Sequence, residues 1–261
     1  MKLLFVGDVV GGLGKRTLLA LLPELGETHR PDFIVVNGEN AAGGLGITPK
    51  IADEMFAAGV DVITLGNHTY QHDSIYEYLD REDRIIRPAN YPKGNPGHGH
   101  TVVEKDGVRL GVINLSGTVF LDAARSPFSE VDAILSELRG KTDHILVDFH
   151  AEATSEKVAM GWHLDGRVTA CVGTHTHVPT ADGRVLPGGT AFISDVGMTG
   201  PRGGVIGVKR ELALKRFVTQ MPIKFETSDE DPWLNGVLIT AGADGRAESI
   251  EQILARPGGL A

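Results

Sequence analysis

The sequence predicts an α/β fold in which two packed mixed β-sheets are flanked by helices. Three observations carry this expectation. Five short runs of β-branched and apolar residues, at 2–6, 33–36, 60–65, 144–149 and 168–172, have the length and composition of buried strands. Helical patterns alternate with these runs in the first half, which is the signature of parallel βαβ units. Hairpin patterns between residues 85 and 117, and again near the end, add antiparallel strands, so two sheets packed face to face accommodate the set better than one.

Each element has a local reason. Leu18, Leu19, Leu22 and Leu25 put a helix over residues 13–25. Thr48 before Pro49 marks a helix start, with the end near Gly59. A third helix is expected over 73–79 and a fourth over 129–138. Residues 102–113 read as a hairpin about the Asp106-Gly107 turn. Strands are also expected at 190–194, 222–226 and 236–240, with a turn at 243–245 and a return strand through Ile250. A glycine-rich segment covers 196–204. No linker or repeat interrupts the chain, so residues 1–261 read as a single domain.

Composition narrows the function. The chain has 261 residues, 41% of them hydrophobic and 23% charged, with a formal net charge of −9. That balance excludes a long basic track for duplex nucleic acid. Cys171 is the only cysteine, so no intramolecular disulfide can form. No run of 18 apolar residues exists, which argues against a membrane span. Lys2 and Asp8 bracket too short an apolar run for a secretory segment, and a cytoplasmic setting is expected. Oligomeric state is not legible, and a homo-oligomer is compatible with all of this.

The strongest functional signal is where the apolar runs stop. They deliver Asp8, then Glu39 and Asn40, then Asn67 and His68, then His150, and finally His175 and His177. In open α/β sheets the carboxyl ends of strands form one rim where ligands bind. Alone, Asp8 would read as a helix cap and His150 as a core histidine. Glu39 between two asparagines has little structural reason to follow a buried strand. His175 and His177 can both turn toward one site as neutral imidazoles. Asp8, Glu39, Asn67, His150, His175 and His177 are too many donors for one tetrahedral zinc, but they suit two metals sharing a carboxylate. Such a pair, about 4 Å apart, clamps a phosphoryl group and ionises a water. His68 then stands beside a ligand, placed to protonate a leaving oxygen. Cys171 reads as an inert core residue. His29, His72, His98, His100, His144 and His163 read as surface or locally hydrogen-bonded groups. Gly12-Leu13-Gly14-Lys15 lacks the spacing of a phosphate-binding P-loop.

Gly7-Asp8, Gly38-Glu39-Asn40, Gly66-Asn67-His68, His150 and residues 173–177 resemble the ordered motifs of the calcineurin-like metallophosphoesterases. Residues 148–157 and 196–201 extend the likeness to the bacterial branch that hydrolyses 2′,3′-cyclic nucleotides. Val10 stands where the wider superfamily has a histidine, and Glu39 where it has a bridging aspartate; both departures are shared with that branch. The resemblance implies that Asp8, Asn40 and His177 hold one metal, that Asn67, His150 and His175 hold the other, and that Glu39 bridges. It implies two divalent or trivalent ions, iron or manganese, with zinc as the alternative. It further implies a metal-bound hydroxide attacking phosphorus, His68 as general acid and a small cyclic nucleotide as substrate. Thr69 stands where the superfamily has an acidic residue after Asn-His, so Asp73 is the candidate to orient His68 instead. Base selectivity is expected to be weak, because two metals can reach the phosphate without contacting the base. Two rival readings are a broad phosphatase or phosphodiesterase with another substrate, and a metal-dependent regulatory protein that binds a nucleotide without turnover.

Overall fold

A computed structural model describes residues 1–122 and 125–260. The first sheet is built on β1 (Lys2–Val6), β2 (Phe33–Asn37), β3 (Val62–Thr64) and β4 (Ile85–Ile86), all parallel. The second contains β5 (His100–Lys105), β6 (Val108–Ser116), β7 (His144–His150), β8 (Ala170–Thr174), β9 (Arg184–Val185) and β10 (Ala191–Ile193). Its order is β5-β6-β7-β8-β10-β9, with the strands from β6 to β10 parallel and each edge strand antiparallel. The first sheet is completed by β11 (Gly200–Pro201), β12 (Pro232–Ala241), β13 (Ala247–Arg256) and β14 (Gly259–Leu260). These lie on the free side of β1, where β12 pairs antiparallel with it. Both sheets are therefore mixed, as the hairpin patterns predict.

Period-2 alternation divides the apolar side chains between layers. Leu3, Phe5, Val35 and Val62 of the first sheet meet Leu110, Val112, Leu146 and Val172 of the second in one shared core. Leu4, Val6, Val36 and Ile63 face the other way, onto α1 (Gly11–His29), α2 (Pro49–Ala57) and α3 (Tyr76–Arg81). The outer face of the second sheet, with Ile113, Val147 and Phe149, is covered by α4 (Pro127–Leu138) and α5 (Thr154–Leu164). The layers run helix, sheet, sheet, helix. Phe5 is fully buried in the shared core, and truncating such a side chain costs about 3–5 kcal/mol.

Several expectations need revision. The helix expected over 13–25 runs from Gly11 to His29. The Asp106-Gly107 turn forms as read, with both residues at positive φ, as a two-residue hairpin requires. Residues 222–226 form no strand: Met221 and Phe225 are exposed, and only Thr227 makes an isolated bridge, to Val208. A stretch without a buried face has nothing to hold it in a ladder. Two helices were not foreseen, α5 and α6 (Arg210–Thr219). His144 is not a surface group; it is 9% exposed at the start of β7. Among the described residues no helix is long and apolar enough to cross a membrane.

Candidate metal centre

Strand ends from both sheets meet at one rim. From the first sheet come Asp8 after β1, Glu39 and Asn40 after β2, and Asn67 and His68 after β3. From the second come His150, the last residue of β7, and His175 and His177 just beyond β8. All eight sequence candidates thus lie in one neighbourhood. Asp8, Glu39 and His150 are fully buried and Asn40 nearly so. The approach is tight enough to require glycine at position 66: a Cβ there would overlap the Glu39 carboxylate and the His150 ring.

Two overlapping groups of donors form. Around His150 Nε2 lie Asn67 Oδ1 at 3.0 Å, His175 Nδ1 at 3.0 Å and Glu39 Oε1 at 3.1 Å. Glu39, His150 and His175 each offer a ligand atom, and these atoms fall within 4.8 Å of one another. The second group gathers at Asn40, whose Nδ2 is 2.9 Å from Glu39 Oε1 and 3.1 Å from His177 Nε2. Glu39 belongs to both. Asp8 receives the His175 N–H on Oδ2 at 3.2 Å, whereas its buried Oδ1 has no hydrogen-bond partner.

The electrostatics of this cluster call for a cation. Burial raises the Asp8 carboxyl to about 6 against the pull of His177 and His150. Burial also disfavours charge on His150, but Glu39, Asp8 and Asp148 outweigh it and push the imidazole up to about 9. Glu39 is held well below the usual carboxylate range, because His150 and His68 outweigh its burial. His175 is driven down to about 3 by burial and by the charge on His150. Without an ion, His150 is the group that these buried acids favour in its charged form. An orphaned carboxylate oxygen, two carboxylates and three imidazoles fit metal ions, which supply counter-charge while leaving the imidazoles neutral.

The imidazoles are oriented by bonds at their far nitrogens. His150 Nδ1 lies 2.9 Å from Thr174 Oγ1, and Thr174 donates in turn to Asp148 Oδ1 at 2.7 Å. Asp148 is a buried hub that also accepts from Asn37 at 3.0 Å and Thr64 at 2.5 Å. His175 Nε2 meets Glu152 Oε2 at 3.1 Å, and His177 Nδ1 meets the Ile206 carbonyl at 2.8 Å. His175 and His177 both have positive φ, 102° and 67°, a strained backbone of the kind that persists when its surroundings enforce it. Asp195 does so here. It accepts from Thr176 N and Oγ1, from Gly197 N and from buried Lys157, which sits 2.6 Å away. Sequence reasoning missed Asp148, Thr174, Asp195 and Lys157.

His68 is 25% exposed at the edge of the cluster. Its Nδ1 is 2.7 Å from Asn40 Oδ1 and 3.4 Å from Glu39 Oε1, and its N–H donates to Glu39 Oε2 at 3.1 Å. Asn40, not Asp73, is therefore its orienting partner; Asp73 opens the short 3₁₀ turn Asp73–Ile75. The Asn40 carbonyl oxygen faces His68 and its amide nitrogen faces His177, the reverse of what ligation through oxygen would use.

A model of the YmdB-like protein family matches residues 4–253. The chain belongs to the YmdB-like family. One relative, the 2′,3′-cyclic-nucleotide 2′-phosphodiesterase of Bacillus subtilis (strain 168), is 47% identical over 97% of each chain. Among solved structures, a hypothetical protein from Thermus thermophilus superposes with a TM-score of 0.92 at 40% identity, covering 98% of this chain and all of that one. A phosphatase from Mycoplasma pneumoniae matches equally well in shape, with a TM-score of 0.92 at 36% identity over 98% and 93% of the two chains. YmdB-like relatives thus carry the names of phosphate-ester hydrolases, as the sequence motifs imply.

Proposed function

We propose that this chain is a metal-dependent phosphodiesterase that opens nucleoside 2′,3′-cyclic phosphates. The single observation that carries the proposal is the convergence of Asp8, Glu39, Asn40, Asn67, His150, His175 and His177 from both sheets at one rim, with one buried carboxylate oxygen among them, Asp8 Oδ1, left without a hydrogen-bond partner. The 47% identical B. subtilis phosphodiesterase supports the substrate class. Asn67, His150 and His175 would hold one ion and Asp8, Asn40 and His177 the other, with Glu39 between them. Oxygen and imidazole donors without thiolate suit iron or manganese. The ions would supply Lewis-acid activation of the phosphate and of a water. Because ligands come from both sheets, residues 1–261 act as one domain.

The remaining chemistry belongs to the protein. His68 is the general acid: it stands at the edge of the cluster, and its Nδ1–H donates to Asn40 Oδ1, so in this orientation the doubly protonated ring gives its Nε2 proton to the departing ribose oxygen. If Asn40 ligates through oxygen, its amide turns over and presents Nδ2 to His68 Nδ1, which keeps the proton on Nε2. Either orientation makes Asn40 the link between metal and acid. A half-buried proton donor at the edge of the cluster favours turnover over nucleotide binding alone. The test is a hydrolysis assay: 2′,3′-cyclic AMP should open to a monophosphate faster than 3′,5′-cyclic AMP, with activity abolished by chelator and restored by Mn²⁺ or Fe²⁺. Comparable rates on the two isomers, or activity that survives chelation, would overturn it.

A further inference from the structure

A cavity of about 430 Å³ lies beside His177 and has no part in the chemistry above. Its size is that of a small-molecule site. It arises from strand register. Alternate residues of β12 share a face, and Val237 and Ile239 point into the core between the sheets. Trp233 and Asn235 continue that face to the rim, since Gly236 pairs with Val6 at the end of β1, two residues before Asp8. There the loop after β8 and the segment from Met198 to Ile206 complete the walls. Leu254, paired with Asn235 across β13, lines it as well.

The walls are those of a flat heteroaromatic ligand's site. Trp233 supplies an aromatic ring flanked by two guanidinium groups, Arg202 at 4.7 Å and Arg256 at 5.8 Å from its centroid, and Met198, Ile206 and Leu254 give apolar contact. Asn235, 7% exposed, spends its Nδ2 on the Met198 carbonyl and leaves Oδ1 without a partner. His177 joins the two sites: its Nε2 faces Asn40 and its ring lines the cavity. His177 thus lies between the proposed metal donors and the cavity.

We propose that the cavity is a base subsite, receiving the nucleobase of a nucleoside 2′,3′-cyclic phosphate beside Trp233. The proposal rests on the phosphodiesterase reading, and it replaces the expectation of weak base recognition with one in which the base contributes to binding. Bases stacked on aromatic side chains bind tightly enough that losing one such contact costs about tenfold in affinity.

Two measurements test it. The first compares 2′,3′-cyclic AMP with glycerol 1,2-cyclic phosphate, the same five-membered diester without a base. Trp233→Ala, and Leu254→Trp at an exposed position that narrows the cavity, should each lower the ratio of the two kcat/KM values by about tenfold, mainly through KM for the nucleotide. An unchanged ratio overturns the subsite. The second does not need turnover. The chain has two tryptophans, so Trp162→Phe leaves Trp233 as the only tryptophan, excited selectively at wavelengths where tyrosine does not absorb. Titrating the metal-loaded variant with 3′-AMP should change its fluorescence saturably, whereas inorganic phosphate should not. If wild type opens neither ester, the phosphodiesterase reading fails, and the fluorescence still decides the subsite: saturation with 3′-AMP supports it, and an unchanged signal refutes it.

Discussion

The two sheets contribute different chemistry to the same rim. The first supplies oxygen and amide donors, Asp8, Glu39, Asn40 and Asn67; the second supplies imidazoles, His150, His175 and His177. Their support differs as well. Each imidazole is pinned at its far nitrogen, by Thr174, Glu152 or the Ile206 carbonyl. The oxygen donors bond chiefly to the groups they face, and Asp8 Oδ1 to nothing. The imidazole half is thus oriented from outside the cluster, while the oxygen half bonds within it and leaves one carboxylate oxygen, Asp8 Oδ1, unpartnered. Neither sheet has a full ligand set, which ties the chemistry to the packing between them.

Glu39 is where the halves can be broken together. Glu39→Gln keeps the shape but offsets less charge between two cations. We expect loss of both ions and a fall in activity of about 10²–10³-fold, the range for one essential electrostatic group. Elemental analysis showing full metal content in this variant would refute the bridging role. Asp8→Asn, confined to the oxygen half, should remove chiefly one equivalent.

His68→Ala tests chemistry separately from metal. It should keep its metal content and lose about 10²–10⁴ in rate on 2′,3′-cyclic AMP, the usual contribution of a general acid. On bis-nitrophenyl phosphate, whose nitrophenolate leaves unaided, the loss should be far smaller. Equal losses on both substrates would assign His68 to phosphate orientation instead.

The imidazole half is addressed through Asp148, which acts on His150 by way of Thr174. Removing such an outer partner typically costs about 10–100-fold in metal affinity. Asp148→Asn and Thr174→Val should both weaken metal retention against a chelator in that range, and a chelator titration that matches wild type would contradict the relay.

Sequence made the rim visible because apolar strand runs end where the donors begin, at Asp8, Glu39, Asn67, His150 and His175. It concealed the support. Asp148 sits between Val147 and Phe149 in the buried middle of β7, and its partner Asn37 is 111 residues away. Asp195 and Lys157 form their buried pair across 38 residues. The same polar burial hid α5, whose inner face includes Glu156 and Lys157 and so breaks the apolar period. α6 was hidden for the opposite reason: only Ala213 is buried, while Leu214, Phe217 and Val218 face outward.

The smallest expected effect lies far from the rim. His144 is held below its ordinary value by burial. The unfolded chain then binds more protons than the folded one as pH falls through about 6.5, so folding loses stability on the acid side. Urea midpoints measured above and below that pH should diverge less in His144→Gln than in wild type, and an equal divergence would remove His144 from the pH dependence.

The most direct measurement is metal stoichiometry in the wild-type chain, stripped with chelator, reloaded with Mn²⁺ and analysed for metal per chain alongside activity on 2′,3′-cyclic AMP. Joint use of both sheets predicts about two ions per chain at full activity. Full activity with one ion or none would contradict it.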